Sequence, residues 1–278
     1  MTDVTQTNKP GKLVCIGTGI CHTQQLTLVS RTYLQRADVV FGVMPNSLVD
    51  DWIQELNPNY INMQKYYALG KPRSQTYMEM ANAMLDEVRA GKDVCCALYG
   101  HPGVFACIAH LAIGLARKAG YAAKMEPGIS AEDCLFADLG LNPGYNGCLS
   151  YETTELIFHK HTIDPGAALI LWQISIAGEH TSKAFTTTRE KMQFTVEFLN
   201  QWYALDHEVI IYEAAFLPTD SPRIERIALK NLPDAELTSA STLVILPKKQ
   251  RQVNHETLAK FGLTESDLGY IDDYSSRS

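Results

Sequence analysis

The residues best suited to chemistry in this chain are tyrosines grouped around one arginine. Arg73 and Tyr77 are four apart, Tyr66-Tyr67 lie just before them, and Tyr99 follows. On a helix beginning at Ser74, Arg73 and Tyr77 project from one face of its first turn. An unperturbed phenol ionises with a pKa of about 10, and a nearby guanidinium favours the phenolate. Such a set can take a proton from a very weak acid and hold the negative charge that develops. Spacing alone gives a plainer account. Tyr77 lies on the apolar face of its segment, Arg73 follows Pro72 in a loop, and the two read as a core residue and a solvated charge.

Three loops could hold a ligand. Gly17-Thr18-Gly19 follows the apolar run Leu13-Val14-Cys15-Ile16 and reads as a strand entering a tight turn. It is an incomplete dinucleotide fingerprint, because His22 stands where a third glycine belongs and no acidic residue closes the next strand, 38–43. The second loop, Tyr99-Gly100-His101-Pro102-Gly103-Val104-Phe105, leaves the strand 94–98, where backbone amides can face a ligand. The third is Glu126-Pro127-Gly128-Ile129-Ser130-Ala131, with Ser130 placed to cap the next helix.

The elements that must position these loops alternate. Strands are expected at 13–16, 38–43 and 94–98, and helices at 24–36, 47–56, 74–90 and 104–119. That alternation implies an α/β sheet that is mostly parallel. After a helix at 131–139 the texture changes. Strands are expected at 147–151, 167–174, 208–215, 224–229 and 241–246, with a long helix over 182–203. This half reads as mixed in strand direction. The expected division is an N-terminal α/β domain 1–125, a C-terminal α/β domain 126–247 and a polar tail 248–278, helical in part and ending in a disordered-looking 270–278.

A length of 278 residues with 46% apolar and 20% charged residues supports one large or two medium globular domains. The formal charge of −7 argues against nucleic-acid partners, which need a basic footprint. Seven cysteines without a Cys-x-x-Cys pair read as reduced thiols of a cytoplasmic protein, with Cys95-Cys96 in the core. The polar start lacks a signal-peptide core, and no apolar run is long enough to span a membrane. His159 and His161 would share one strand face without a third ligand nearby, so no metal is expected. Lys248, Lys249 and Arg251 read as a solvated helix start.

Taken together, Ile16-Gly17-Thr18-Gly19, Leu26-Thr27, Ala37-Asp38-Val39-Val40, Gly100-His101-Pro102-Gly103-Val104-Phe105 and Pro127-Gly128-Ile129-Ser130 resemble the tetrapyrrole (corrin and porphyrin) methylase superfamily over about residues 12–247. The resemblance implies two α/β domains with S-adenosylmethionine in the cleft between them, in a homodimer. His101 stands where that superfamily commonly has Asp. The Tyr-Gly-His-Pro-Gly-Val-Phe form, with Tyr66-Tyr67, Arg73-x-x-x-Tyr77, Ile163-Asp164 and Leu171-Trp172-Gln173, is similar to the borosin peptide backbone N-methyltransferases.

That second resemblance implies iterative methylation of backbone amide nitrogens in a ribosomally made precursor peptide. Tyr77 would act as base or hold the accepting water, Arg73 would favour its phenolate, Tyr99 would bind the amide oxygen or orient the peptide, and Tyr67 would complete the wall. The cofactor, released as S-adenosylhomocysteine, would lie against Tyr99, His101, Val104, Phe105, Ala106, Ser130, Ala131, Gln173, Tyr212, Glu213, Ala214, Ser241 and Thr242. Residues 248–278 hold no apolar core peptide. The expectation is therefore a split system of the stand-alone bacterial type, acting on a separate precursor with a helical leader. The competing readings are a tetrapyrrole C-methyltransferase and a non-catalytic binding protein on the same fold.

Overall fold

The structure is a computed structural model that describes residues 10–68, 70–179, 186–248 and 253–268. These residues form two compact units. One comprises the described residues of 1–135, 178–187 and 213–223, the other those of 136–177, 188–212 and 224–278.

The first unit is built on a five-stranded parallel sheet in the order β3-β2-β4-β1-β5. Its strands are β1 (Lys12–Gly17), β2 (Val39–Val43), β3 (Tyr60–Asn62), β4 (Asp93–Leu98) and β5 (Ala122–Met125). Between them run α1 (Leu28–Arg36), α2 (Ser47–Leu56), α3 (Arg73–Arg89) and α4 (Cys107–Lys118). The central strands read as unbroken apolar runs because both faces are covered. Leu13, Cys15, Phe41, Cys96 and Leu98 pack with Met80, Met84 and Val88 of α3 and Ala109, Ala112 and Ala116 of α4. The alternate residues Val14, Ile16, Val40, Cys95 and Ala97 face the other way, with Leu34 of α1 and Val49 and Ile53 of α2. Each fully buried side chain of Leu or Ile size contributes about 1.5–3 kcal/mol. Cys95 and Cys96 lie in the core as expected, as unbridged thiols.

The next helix, α5 (Ala131–Leu139), starts in the first unit and ends in the second. The second unit continues with α6 (Pro143–Asn146), β6 (Cys148–Glu152), α7 (Thr153–Phe158), β7 (Ala168–Trp172), α8 (Arg189–Leu199), β8 (Glu208–Glu213), β9 (Arg223–Ala228), β10 (Thr242–Ile245) and α9 (His255–Lys260). Its sheet has the order β6-β7-β10-β8-β9 and is mixed, as the sequence suggested: β6 pairs with β7 in parallel, while β10 is antiparallel to both β7 and β8. Leu169, Leu171, Val209, Ile211, Leu243 and Ile245 present one apolar face to Met192, Val196 and Leu199 of α8. No helix among the described residues is long and apolar enough to cross a membrane.

Several expected elements move. The helix expected from residue 24 begins at Leu28, because the Thr27 hydroxyl caps it by accepting from Ser30 N–H at 3.1 Å. The helix expected from 104 begins at Cys107, because Phe105 has φ 51° and cannot join a right-handed helix. The long helix expected over 182–203 is α8 alone, capped by Thr188, and residues 182–185 lie outside the described residues. His159 and His161 do not share a strand face. Glu152 caps a short helix instead, accepting from Glu155 N–H at 2.7 Å, and His159 closes it. Lys248 does not start a helix: its N–H donates to Pro165 O at 2.8 Å. Lys249, Arg251 and the expected disordered end at 270–278 lie outside the described residues.

Candidate active site

Within the first unit, the three loops meet at the C-terminal ends of β1, β4 and β5, where open parallel sheets bind ligands. Gly19 and Gly100 exchange backbone bonds, with N–H to O distances of 3.3 and 3.0 Å, and both take positive φ. The approach is too close for any side chain. A Cβ on Gly17 would stand 2.1 Å from Gly100 O, and one on Gly128 would stand 3.1 Å from both Gly100 O and Gly17 Cα. The glycines that first suggested a dinucleotide turn therefore serve to pack loop against loop.

Each loop is then fixed locally. Gln25, which the sequence did not mark, accepts from Ile20 N–H at 2.8 Å and Cys21 N–H at 2.9 Å, and donates to Cys134 Sγ at 3.4 Å. His101 opens a turn closed by Val104 N–H donating to His101 O at 3.3 Å, and its Nδ1 accepts from Gly103 N–H at 2.9 Å. Val104 and Phe105 are exposed, Ala106 precedes α4, and Phe105 holds its left-handed backbone. Ser130 is the expected N-cap. Its hydroxyl accepts from Asp133 N–H at 3.3 Å, while Asp133 Oδ2 accepts from Ser130 N–H and Oγ at 2.7 Å. Ala131 follows as the first residue of α5.

The tyrosine and arginine set divides. Tyr67 and Tyr77 meet, hydrogen-bonded, and Arg73 acts on the same group. Burial pushes the Tyr67 phenol up, and the bond to Tyr77 keeps the proton on Tyr67, while the Arg73 charge pulls the other way. Sequence spacing assigned the arginine to Tyr77; in the structure its influence is felt at Tyr67. Tyr99 sits instead with Cys134 and Cys21 at the loop end of β4, and burial pushes its phenol up to about 12. Its hydroxyl therefore keeps its proton well above neutral pH.

The start of α3 is built against its own dipole. Pro72 caps it without a side-chain bond, Arg73 is its first residue, and the first turn holds no acid. A cation there opposes the positive helix end, typically by 0.3–1 kcal/mol. The neighbouring cation, Lys71, is paired with Glu79. The result is a positive end beside two phenol oxygens, suited to stabilising an anion.

The remaining candidates lie at strand ends. In the second unit, Gln173 leaves β7 with φ 57° and is exposed. Tyr212 is buried on β8, its hydroxyl donating to Asp138 at 2.7 Å, and pairs in register with Thr242. Ser241 is also buried, its Oγ accepting from Thr238 N–H at 2.8 Å. Glu213, grouped with the first unit, is held by Arg223 at 2.9 Å, and Ala214 follows it, half-buried. Among the described residues no group of three or more His, Cys, Asp or Glu is placed to hold a metal ion.

Residues 12–232 match the family described as Tetrapyrrole (Corrin/Porphyrin) Methylases. The chain belongs to that family. Within it, the chain is 36% identical over 273 residues to the methyltransferase/ribosomally synthesized type I borosin cyclic peptide precursor of Coprinopsis marcescibilis, covering 95% of this chain and 70% of that protein. It is 39% identical over 268 residues to the corresponding type III borosin precursor of Anomoporia bombycina, covering 95% of this chain and 31% of that protein. The family member described here thus spans about a third of one such relative and more than two thirds of another. Its fold is that of the cobalamin biosynthetic enzyme cobalt precorrin-4 methyltransferase, with a TM-score of 0.59 at 23% identity over 84% of this chain and 94% of that one.

Proposed function

We propose that this protein uses S-adenosylmethionine to methylate backbone amide nitrogens of a ribosomally made precursor peptide, iteratively, as a cytoplasmic homodimer. The observation that carries the reading is the Tyr67–Tyr77 pair beside Arg73 at an uncapped helix start. A backbone amide is a poor nucleophile whose N–H is a very weak acid, so a site must both take the proton and hold the imidate oxygen. A conventional carbon methylation of a tetrapyrrole has no need of an arginine-supported phenol.

In this reading Tyr77 takes the N–H proton or holds the water that accepts it. Tyr67 donates its own proton in a hydrogen bond to Tyr77, and the Arg73 charge acts on the Tyr67 phenol of that pair. Tyr99, a neutral phenol, donates to the amide oxygen. The methyl donor is held at His101, Val104, Phe105, Ala106, Ser130 and Ala131, with Gln173, Tyr212, Glu213, Ala214, Ser241 and Thr242 as further contacts. The set suits a sulfonium cofactor: it contains no Lys or Arg, and its single acid, Glu213, is paired. When bound, S-adenosylmethionine supplies an electrophilic methyl on sulfur and leaves as S-adenosylhomocysteine.

The peptide is taken to be a separate molecule. Single-turnover methylation of a backbone-amide peptide, followed by mass, tests the whole reading. Tyr77→Phe should slow the wild-type +14 Da steps by about 100-fold or more, and a near-wild-type rate would sink the base assignment. Increments on this chain itself would overturn the separate substrate.

A further inference from the structure

Gly103 is gripped from two sides. Its N–H donates to His101 Nδ1 at 2.9 Å, and its carbonyl accepts from His110 Nε2 at 3.0 Å. An amide N–H only donates and a carbonyl only accepts. Those partners therefore fix both rings, with His101 bare at Nδ1 and His110 protonated at Nε2. The glycine is also wedged, since a Cβ on it would stand 2.6 Å from Met125 Sδ.

The grip falls on a turn with a strained exit. Pro102 and Gly103 are its central residues, and Phe105 follows with φ 51°. In the Gly-Asp-Pro form that this loop resembles, an Asp at the first turn position would accept the same N–H. Here an imidazole does so, and His110, reaching across from α4, takes the carbonyl. The two bonds set the peptide planes on both sides of Gly103, and with them the approach to Val104 and Phe105.

We propose that His110 is a positioning residue for the methyl-donor loop, acting through the Gly103 carbonyl. The proposal rests on the reading of His101–Ala106 as part of the methyl-donor site. His110 lies on an exposed helix position, so its replacement spares the core.

The test is calorimetric binding of S-adenosylmethionine to the full chain. His110→Leu should weaken binding about five- to tenfold, the value of one hydrogen bond, raising KM for the methyl donor while kcat at saturation changes less than about twofold. His110→Gln, whose amide N–H can still donate, should restore binding, with thermal midpoints alike in all three proteins. Wild-type binding that His110→Leu leaves unchanged would overturn the proposal, as would a Gln variant no better than Leu. Absence of wild-type binding would sink the methyl-donor reading instead. Nitrogen-15 spectra of wild-type imidazoles decide the geometry independently: His110 should carry its proton on Nε2, and a proton on Nδ1 would refute the clamp.

Discussion

Tyr67 and Tyr77 meet edge to face, with ring centroids 6.5 Å apart and planes at 88°. One residue comes from the turn after β3 and the other from the first turns of α3, so the contact ties a loop to a rigid helix. Tyr67 is the proton-keeping partner of the pair. Tyr67→Phe should therefore slow single-turnover methylation about tenfold, as expected for one lost hydrogen bond, while leaving S-adenosylmethionine affinity unchanged. A Phe variant as fast as wild type would show that the pair is packing alone.

Phe105 holds a backbone that favours glycine, with nearly half of its surface exposed. Relief of that strain should outweigh the modest burial lost. Phe105→Gly is expected to raise unfolding free energy by about 1 kcal/mol and to weaken methyl-donor binding. Urea melts report the first effect and calorimetry the second; a destabilised variant would argue against stored strain.

Two glycines give a matched contrast. A Cβ at Gly17 would collide with backbone at 2.1 Å, whereas one at Gly114 on α4 meets nothing within 4 Å. Gly17→Ala should lose about 2 kcal/mol or more. Gly114→Ala should gain up to about 1 kcal/mol from helix propensity. Comparable melts for the two would contradict the loop packing.

Burial holds the Tyr99 and Tyr203 phenols up at about 12, and the Tyr60 and Tyr67 phenols are also raised. Unfolded tyrosines lose their protons at about pH 10. Above that pH the unfolded chain binds fewer protons than the folded one, so stability falls as pH rises. The stability present at pH 9 should decline by pH 11. Urea midpoints at the two values measure the loss, and equal midpoints would refute it. Tyr203 Oη is buried without a hydrogen-bond partner among the described residues, so Tyr203→Phe should make the decline shallower.

How far the sequence could be read depended on what each residue packs against. β1 and β4 were legible because both faces are covered, leaving continuous apolar runs such as Val94–Leu98. β3 and β5 were not: they are edge strands of three and four residues, half exposed, with Tyr-Ile-Asn and Ala-Ala-Lys-Met offering no periodic signal. At the candidate site, Arg73 and Tyr77 were marked by helical spacing, and their meeting with Tyr67 followed from the turn before α3. Gln25 and His110 were invisible for a different reason. Both bind backbone atoms of loops, and backbone partners leave no mark in residue type. Tyr99 was grouped with the other tyrosines by kind, but the end of β4 sets it among Cys134 and Cys21 instead.

Phe216 lies in the connection between β8 and β9, yet it completes the first unit, where its ring stacks on His22 at 6.0 Å and its carbonyl accepts from His22 N–H at 2.8 Å. His22 belongs to the turn that follows the opening strand. On a ribosome, then, that turn must wait for its aromatic partner until about 190 further residues have been made, a delay on the order of ten seconds or more at ordinary translation speeds. The first unit cannot finish folding as a leading fragment, and a nascent chain stalled before residue 216 would present an incomplete turn beside Trp52.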